Sequence, residues 1–127
     1  MKEPTQEQIK EFWAWCGFKL KSIGIKKEPY YVLYRPNGEQ FSYWIGGFPD
    51  ARLPIGELYP DVDLNNLLEY AVLNLYGAWA IRMIHYVDTD IWHVELTYGT
   101  LRNGEIKKED KDPALALFWA IWEVIKK

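Results

Sequence analysis

From Ala114 to Trp122 the chain runs nine residues without one polar side chain, and Asp112 and Pro113 stand directly before them. An Asp cap followed by Pro at the first helical position is a strong helix start, so the run is read as a helix. A helix that is apolar all round must be covered on more than one side. It is too short to cross a bilayer, which takes about 20 residues. The helix therefore lies between a sheet and another helix, or turns one face to a second copy of the chain. No other feature constrains the fold as much. Lys126 and Lys127 at its end complement the helix dipole.

Two further helices carry local signals. Thr5 and Gln8 have capping-box spacing, Ile9, Phe12, Trp13 and Cys16 recur on one helical face, and Gly17 supplies the stop. Asp63 caps a second helix, Leu64 to Tyr76, with Leu64, Leu67, Leu68, Ala71 and Leu75 on one side and Gly77 at its end. Strands are read at Phe18 to Ile25, Tyr30 to Arg35 and Phe41 to Ile45. The last two join through Pro36-Asn37-Gly38, because Asn-Gly accepts the positive φ of a tight turn. In this hairpin Tyr30, Val32 and Tyr34 share one face, and Tyr31, Leu33 and Arg35 share the other, read as the solvent side. Gly46 to Asp63 holds three prolines and is read as a long irregular connection, pinned to the core by its apolar residues. Trp79 to Val87 and Ile91 to Tyr98 form a second hairpin, and a polar hairpin turns at Asn103-Gly104.

These elements predict a single α+β domain over residues 1–127. Its sheet is mainly antiparallel, with five or six strands covered by three helices in the order α-ββ(β)-α-ββ-α. At 127 residues, with 49% hydrophobic and 17% aromatic content, the chain excludes disorder and needs no metal or disulfide to hold a core. Cys16 is its one cysteine, which rules out an intrachain disulfide and reads as a small core residue. The opening Met-Lys-Glu-Pro-Thr-Gln lacks the apolar stretch of a signal peptide, so a soluble cytoplasmic setting is expected, with no membrane partner.

Some stretches resemble a known group. Leu64-Asn65-Asn66-Leu67-Leu68-Glu69-Tyr70-Ala71-Val72, Asp112 through Ile121, and Phe12 through Gly17 with its Trp-Ala-Trp-Cys-Gly are similar to small phage and prophage proteins of the phage ABA-sandwich domain family. The resemblance implies an α/β/α-like sandwich and a viral or prophage origin. It implies no activity, and it carries over no catalytic residue.

Motifs of catalysis or cofactor binding are missing from the sequence: no phosphate loop, nucleophile elbow, paired zinc histidines on a helix or Rossmann glycines. No cofactor is implied. One pair of histidines has geometry to test. If the Asp88-Thr89-Asp90 loop sets Val87 opposite Ile91, then His85 faces His93 and Met83 faces Glu95, and a metal-dependent hydrolase becomes an alternative reading. A one-residue slip puts His85 against Trp92 and separates the pair. In the first register Ala80, Ile84, Tyr86, Trp92, Val94, Leu96 and Tyr98 form the core face, and no metal site is assigned.

Recognition is read instead into the aromatic surplus of the tyrosine hairpin and the proline-rich connection. Lys26, Lys27, Tyr31, Arg35, Trp44, Phe48 and Tyr59 form the candidate surface, since Tyr, Trp and Arg dominate interface energetics. The net charge of −3 argues against nucleic acid, although residues 1–35 alone are net basic. Lys19 and Lys21 belong to that basic excess. The leading expectation is a binding module for a protein partner or for itself, as a homodimer. The alternative is a small-ligand or nucleotide binder, using tyrosines for a ring and basic side chains for phosphate.

Overall fold

A computed structural model describes residues 2–23, 30–45, 55–75, 79–98 and 105–126. It is α+β, with two three-stranded antiparallel sheets and helices beside them. Six strands stand among the described residues, but they do not form the one sheet expected. Each sheet is a meander of consecutive strands, in the orders β1-β2-β3 and β4-β5-β6. Pairing through short hairpins closes each set locally, which costs less chain entropy than a long-range ladder. The chain correspondingly forms two compact units, Pro4–Asp61 and Val62–Lys127 with Met1–Glu3.

The first unit opens with α1 (Gln6–Trp15), whose capping box is in place. The Gln8 N–H donates to Thr5 Oγ1 at 3.2 Å, and the Thr5 N–H donates to Gln8 Oε1 at 2.9 Å. Gly17 ends the helix at φ 105°, a conformation L side chains resist. Then come β1 (Lys19–Ile23), β2 (Tyr30–Tyr34) and β3 (Gln40–Ile45). The Asn-Gly turn forms as read: Gly38 has φ 91° and donates to the Arg35 carbonyl at 2.9 Å, while Asn37 Oδ1 accepts from the Glu39 N–H at 2.9 Å. Phe12, Trp13, Phe18 and Phe41 meet edge to face with centroids 5.0 to 5.6 Å apart, a favoured aromatic geometry.

The connection after β3 is not wholly irregular. Ile55–Leu58 forms a short helix, α2, that meets α1 and β3, and the Ser42 hydroxyl donates to the Leu58 carbonyl. Residues 46–54 of that connection lie outside the described residues.

In the second unit the Asp63 carboxylate accepts from the Asn66 N–H at 2.8 Å and starts α3 (Leu64–Asn66). The expected regular helix to Tyr76 does not follow. The turn widens to a π-helix at Leu67–Ala71, then tightens to a 3₁₀ turn at Val72–Asn74, and Leu75 is extended. Widening changes the stripe: Leu67 and Ala71 are fully buried, while Leu68, expected beside them, is 50% exposed. The strands β4 (Trp79–Tyr86), β5 (Ile91–Tyr98) and β6 (Ile106–Asp110) follow, and α4 (Pro113–Ile125) closes the unit. The turn read at Asn103-Gly104 lies outside the described residues.

The Asp112 carboxylate caps α4 by accepting from the Ala114 N–H at 2.9 Å. α4 packs on β5 and β6 and also meets α3 and the π-helical turn. Much of its apolar circumference is thus covered by sheet and helix inside one unit. Trp119 and Trp122 are half-buried, and the Trp119 indole N–H donates to the Lys2 carbonyl at 2.9 Å. Among the described residues, no helix is long and apolar enough to cross a membrane.

Candidate functional site

Side-chain parity in the first sheet decides which residues can meet a ligand. Across the ladder, Leu20, Ser22, Tyr31, Leu33, Ser42 and Trp44 stand on one face. That is the face Ser42 turns toward α2, and Leu33 on it is fully buried. It is therefore a packed face, not the solvent side the sequence reading made it. Tyr31 and Trp44 are cross-strand partners there, half-buried, with ring centroids 6.1 Å apart. Tyr59 is also removed from the surface at 5% exposure, and burial pushes its phenol pKa up. Lys26, Lys27 and Phe48 lie outside the described residues.

The opposite face has a buried centre at Val32, 2% exposed, with aromatics and cations around it. Lys19 and Lys21 are exposed on β1, Tyr30 and Tyr34 are half-buried on β2, and Tyr43 is 60% exposed on β3. Tyr30 and Tyr43 neighbour each other at 6.1 Å, and the Lys21 ammonium lies 5.4 Å from the centre of the Tyr34 ring. Arg35 follows the end of β2, beside a register shift in the β2–β3 ladder. The ladder pairs Leu33 with Ser42 but Tyr34 with Gln40, so Phe41 is an extra residue on β3. The Arg35 guanidinium lies 5.4 Å over the Phe41 ring. Lys19, Lys21, Tyr34, Arg35, Pro36 and Gly38 then line a hollow of about 300 Å³. Of the seven residues singled out in sequence, Arg35 is the one placed here. The rest of the set is spelled by β-strand alternation, Lys19 with Lys21 and Tyr30 with Tyr34, a pattern visible in the sequence once the faces are assigned correctly.

The histidines do not meet. The β4–β5 turn takes four residues, Val87 through Asp90, with Asp90 at φ 55°, and Tyr86 pairs with Ile91. That is one residue away from the expected register, and it reverses the parity of β4. His85 pairs with Trp92, and His93 pairs with Ile84 on the other face. The core face consequently holds Trp79, Ile81, Met83 and His85 from β4, not Ala80, Ile84 and Tyr86. The β5 half of the reading, Trp92, Val94, Leu96 and Tyr98, lies on this face as expected, toward α4. The Lys108–Glu123 ion pair marks the same side.

On the outer face, His93 is held between two carboxylates. Nδ1 lies 2.9 Å from Glu109 Oε1 and Nε2 lies 2.8 Å from Glu95 Oε1. The hydrogen bonds to Glu109 and then Glu95 raise the His93 pKa, and the His93 bond in turn lowers that of Glu95, with Lys107 and Arg82 adding to it. Both ring nitrogens face carboxylate oxygens, so the imidazole is held from two sides and its protonated form is favoured. Among the described residues, no three His, Cys, Asp or Glu side chains are arranged to hold a metal ion. Cys16 is buried, and desolvation pushes its thiol up to about 12, away from nucleophilic use.

Comparison of the chain with protein-family models, with curated proteins and with solved structures returns no match.

Proposed function

We propose that this chain is a recognition domain that works by binding rather than by making or breaking bonds, and that its ligand is anionic. The face of β1–β2–β3 that carries Lys19, Lys21, Tyr34 and Tyr43 is its working surface. The observation supporting this reading is the convergence of Lys19, Lys21 and Arg35 on one hollow beside a row of tyrosines. Cations bring charge complementarity, and rings with a polar tip bring contact area at low entropy cost. The titratable cluster on the second sheet is engaged internally, both nitrogens of His93 facing carboxylates. A phage or prophage accessory protein of sandwich architecture, acting in the host cytoplasm, suits a lone cysteine kept reduced.

The test is an amide chemical-shift titration with a poly-glutamate peptide at low salt. Shifts should cluster on Lys19, Lys21, Tyr34, Arg35 and Tyr43 and fade as salt rises. Shifts confined to β4–β6, or none at all, would sink the reading.

A further inference from the structure

We infer that the hollow at the start of the β2–β3 turn is a seat for the phosphate of a small phosphate monoester. This rests on the anionic-ligand reading and names the chemistry that the site fits.

Three basic residues line the hollow from separate points of the chain. Lys19 and Lys21 project from alternate positions of β1, and Arg35 comes from beyond the end of β2. Among the described residues that line it, none is a carboxylate. Cations gathered around one small volume repel one another, and an anion in the middle relieves that repulsion. A role in guarding the sheet edge accounts for lysines on β1 but not for Arg35 or for the hollow.

The donors favour phosphate over carboxylate. A phosphate monoester offers three terminal oxygens and nearly two negative charges at neutral pH, so it can meet three cations from different directions at once. A carboxylate has two oxygens in one plane. Arg35 brings a fork suited to two of the phosphate oxygens, and the lysines act as point charges. The guanidinium is held over Phe41 with its Nε buried, and Nη1 reaches Glu39 Oε2 at only 3.5 Å, so the terminal Nη groups are the donors left for a ligand. Glu39, outside the lining, is the carboxylate that competes with a ligand for this guanidinium. On the other wall Gly38 leaves open space, with nothing within 4 Å of where a Cβ would stand.

Isothermal titration with methyl phosphate, AMP and acetate at low salt tests the assignment on the full chain. Both phosphates should bind, acetate at least tenfold more weakly, and affinity should rise through about pH 6 as the monoester gains its second charge. Lys19→Gln and Lys21→Gln should each weaken phosphate binding roughly tenfold. Glu39→Gln should strengthen it several-fold, which a general loss of folding cannot mimic. Lys10→Gln, on the exposed face of α1, should leave it unchanged. AMP binding more tightly than methyl phosphate, with the gain lost in Tyr43→Leu, would extend the seat to a nucleotide. Equal binding would leave the phosphate alone as the recognised group. The inference is overturned if neither phosphate binds into the millimolar range, or if the doubly substituted Lys19→Gln/Lys21→Gln chain binds them as well as the parent. Poly-glutamate shifts at the same amides without phosphate binding would spare the broader reading and remove this one.

Discussion

His93 Nδ1 and Glu109 Oε1 lie 2.9 Å apart across the β5–β6 ladder, and this bond ties the outer strand β6 to the centre of its sheet. Its pH dependence has a definite sign. The His93 pKa is raised from 6.5 in the fold, so its stabilisation is complete below pH 6.5 and is lost as pH rises through the higher folded value. Glu95, lowered from 4.5, contributes above pH 4.5 and loses that contribution as pH falls through its folded value. Both are intact between about pH 4.5 and 6.5. The melting temperature should therefore fall between pH 6.5 and 9, and His93→Gln should flatten that limb. Glu109→Gln should flatten it in part, since Glu95 still holds the ring. An unchanged profile in His93→Gln would show that the triad does not contribute to stability.

Gly17 stands against the hairpin turn. A Cβ built there would lie 3.1 Å from the Pro36 Cβ, and the φ of 105° disfavours any L side chain. Gly17→Ala should cost roughly 1–3 kcal/mol in chemical denaturation. Adding Pro36→Gly should not restore the parent, because the backbone strain remains when the contact is relieved. Full recovery in the double variant would mean that the contact alone matters.

What the sequence made legible was local chemistry. The Thr5–Gln8 box, the Asn37-Gly38 turn and the Asp112-Pro113 start each depend on residues within one turn, and all three form as read. The β4–β5 register hung on whether Val87 belongs to strand or turn, and that one residue reversed every side chain of β4. No local signal separates the strands into two sheets. The same limit applied to the candidate site. Its lysines are visible as a basic excess, but the packing of Leu33 and Ser42 on the Tyr31 face depends on α2, which no local signal places there. Glu109 escaped notice because its place beside His93 depends on the register of β6.

Phe118 is fully buried in α4, edge-on to Trp119 at 5.1 Å and stacked with Trp122 at 6.1 Å. Phe118→Ala should cost about 3–5 kcal/mol, a large part of a domain's usual 5–15. Trp119→Phe keeps most of the packing and loses the bond to the Lys2 carbonyl, so about 1 kcal/mol is expected. Cooperative melting of Phe118→Ala within a few degrees of the parent would contradict the packing described.

Cys16 gives a chemical readout of the first unit. It is 3% exposed at the end of α1, and burial pushes its pKa up to about 12. At pH 8 the thiol is therefore held protonated, and it is out of reach of a reagent. Ellman's reagent should therefore leave the native chain unlabelled on the timescale of minutes and titrate one thiol in guanidinium. Slow labelling, where it occurs, reports opening of the α1 end, because a thiol reacts only when exposed. Gly17→Ala strains the residue next to it and should speed labelling at least fivefold, whereas Phe118→Ala, in the other unit, should change it less. Rapid labelling of the native parent would show that Cys16 is accessible, and equal acceleration by both variants would show that the two units open together.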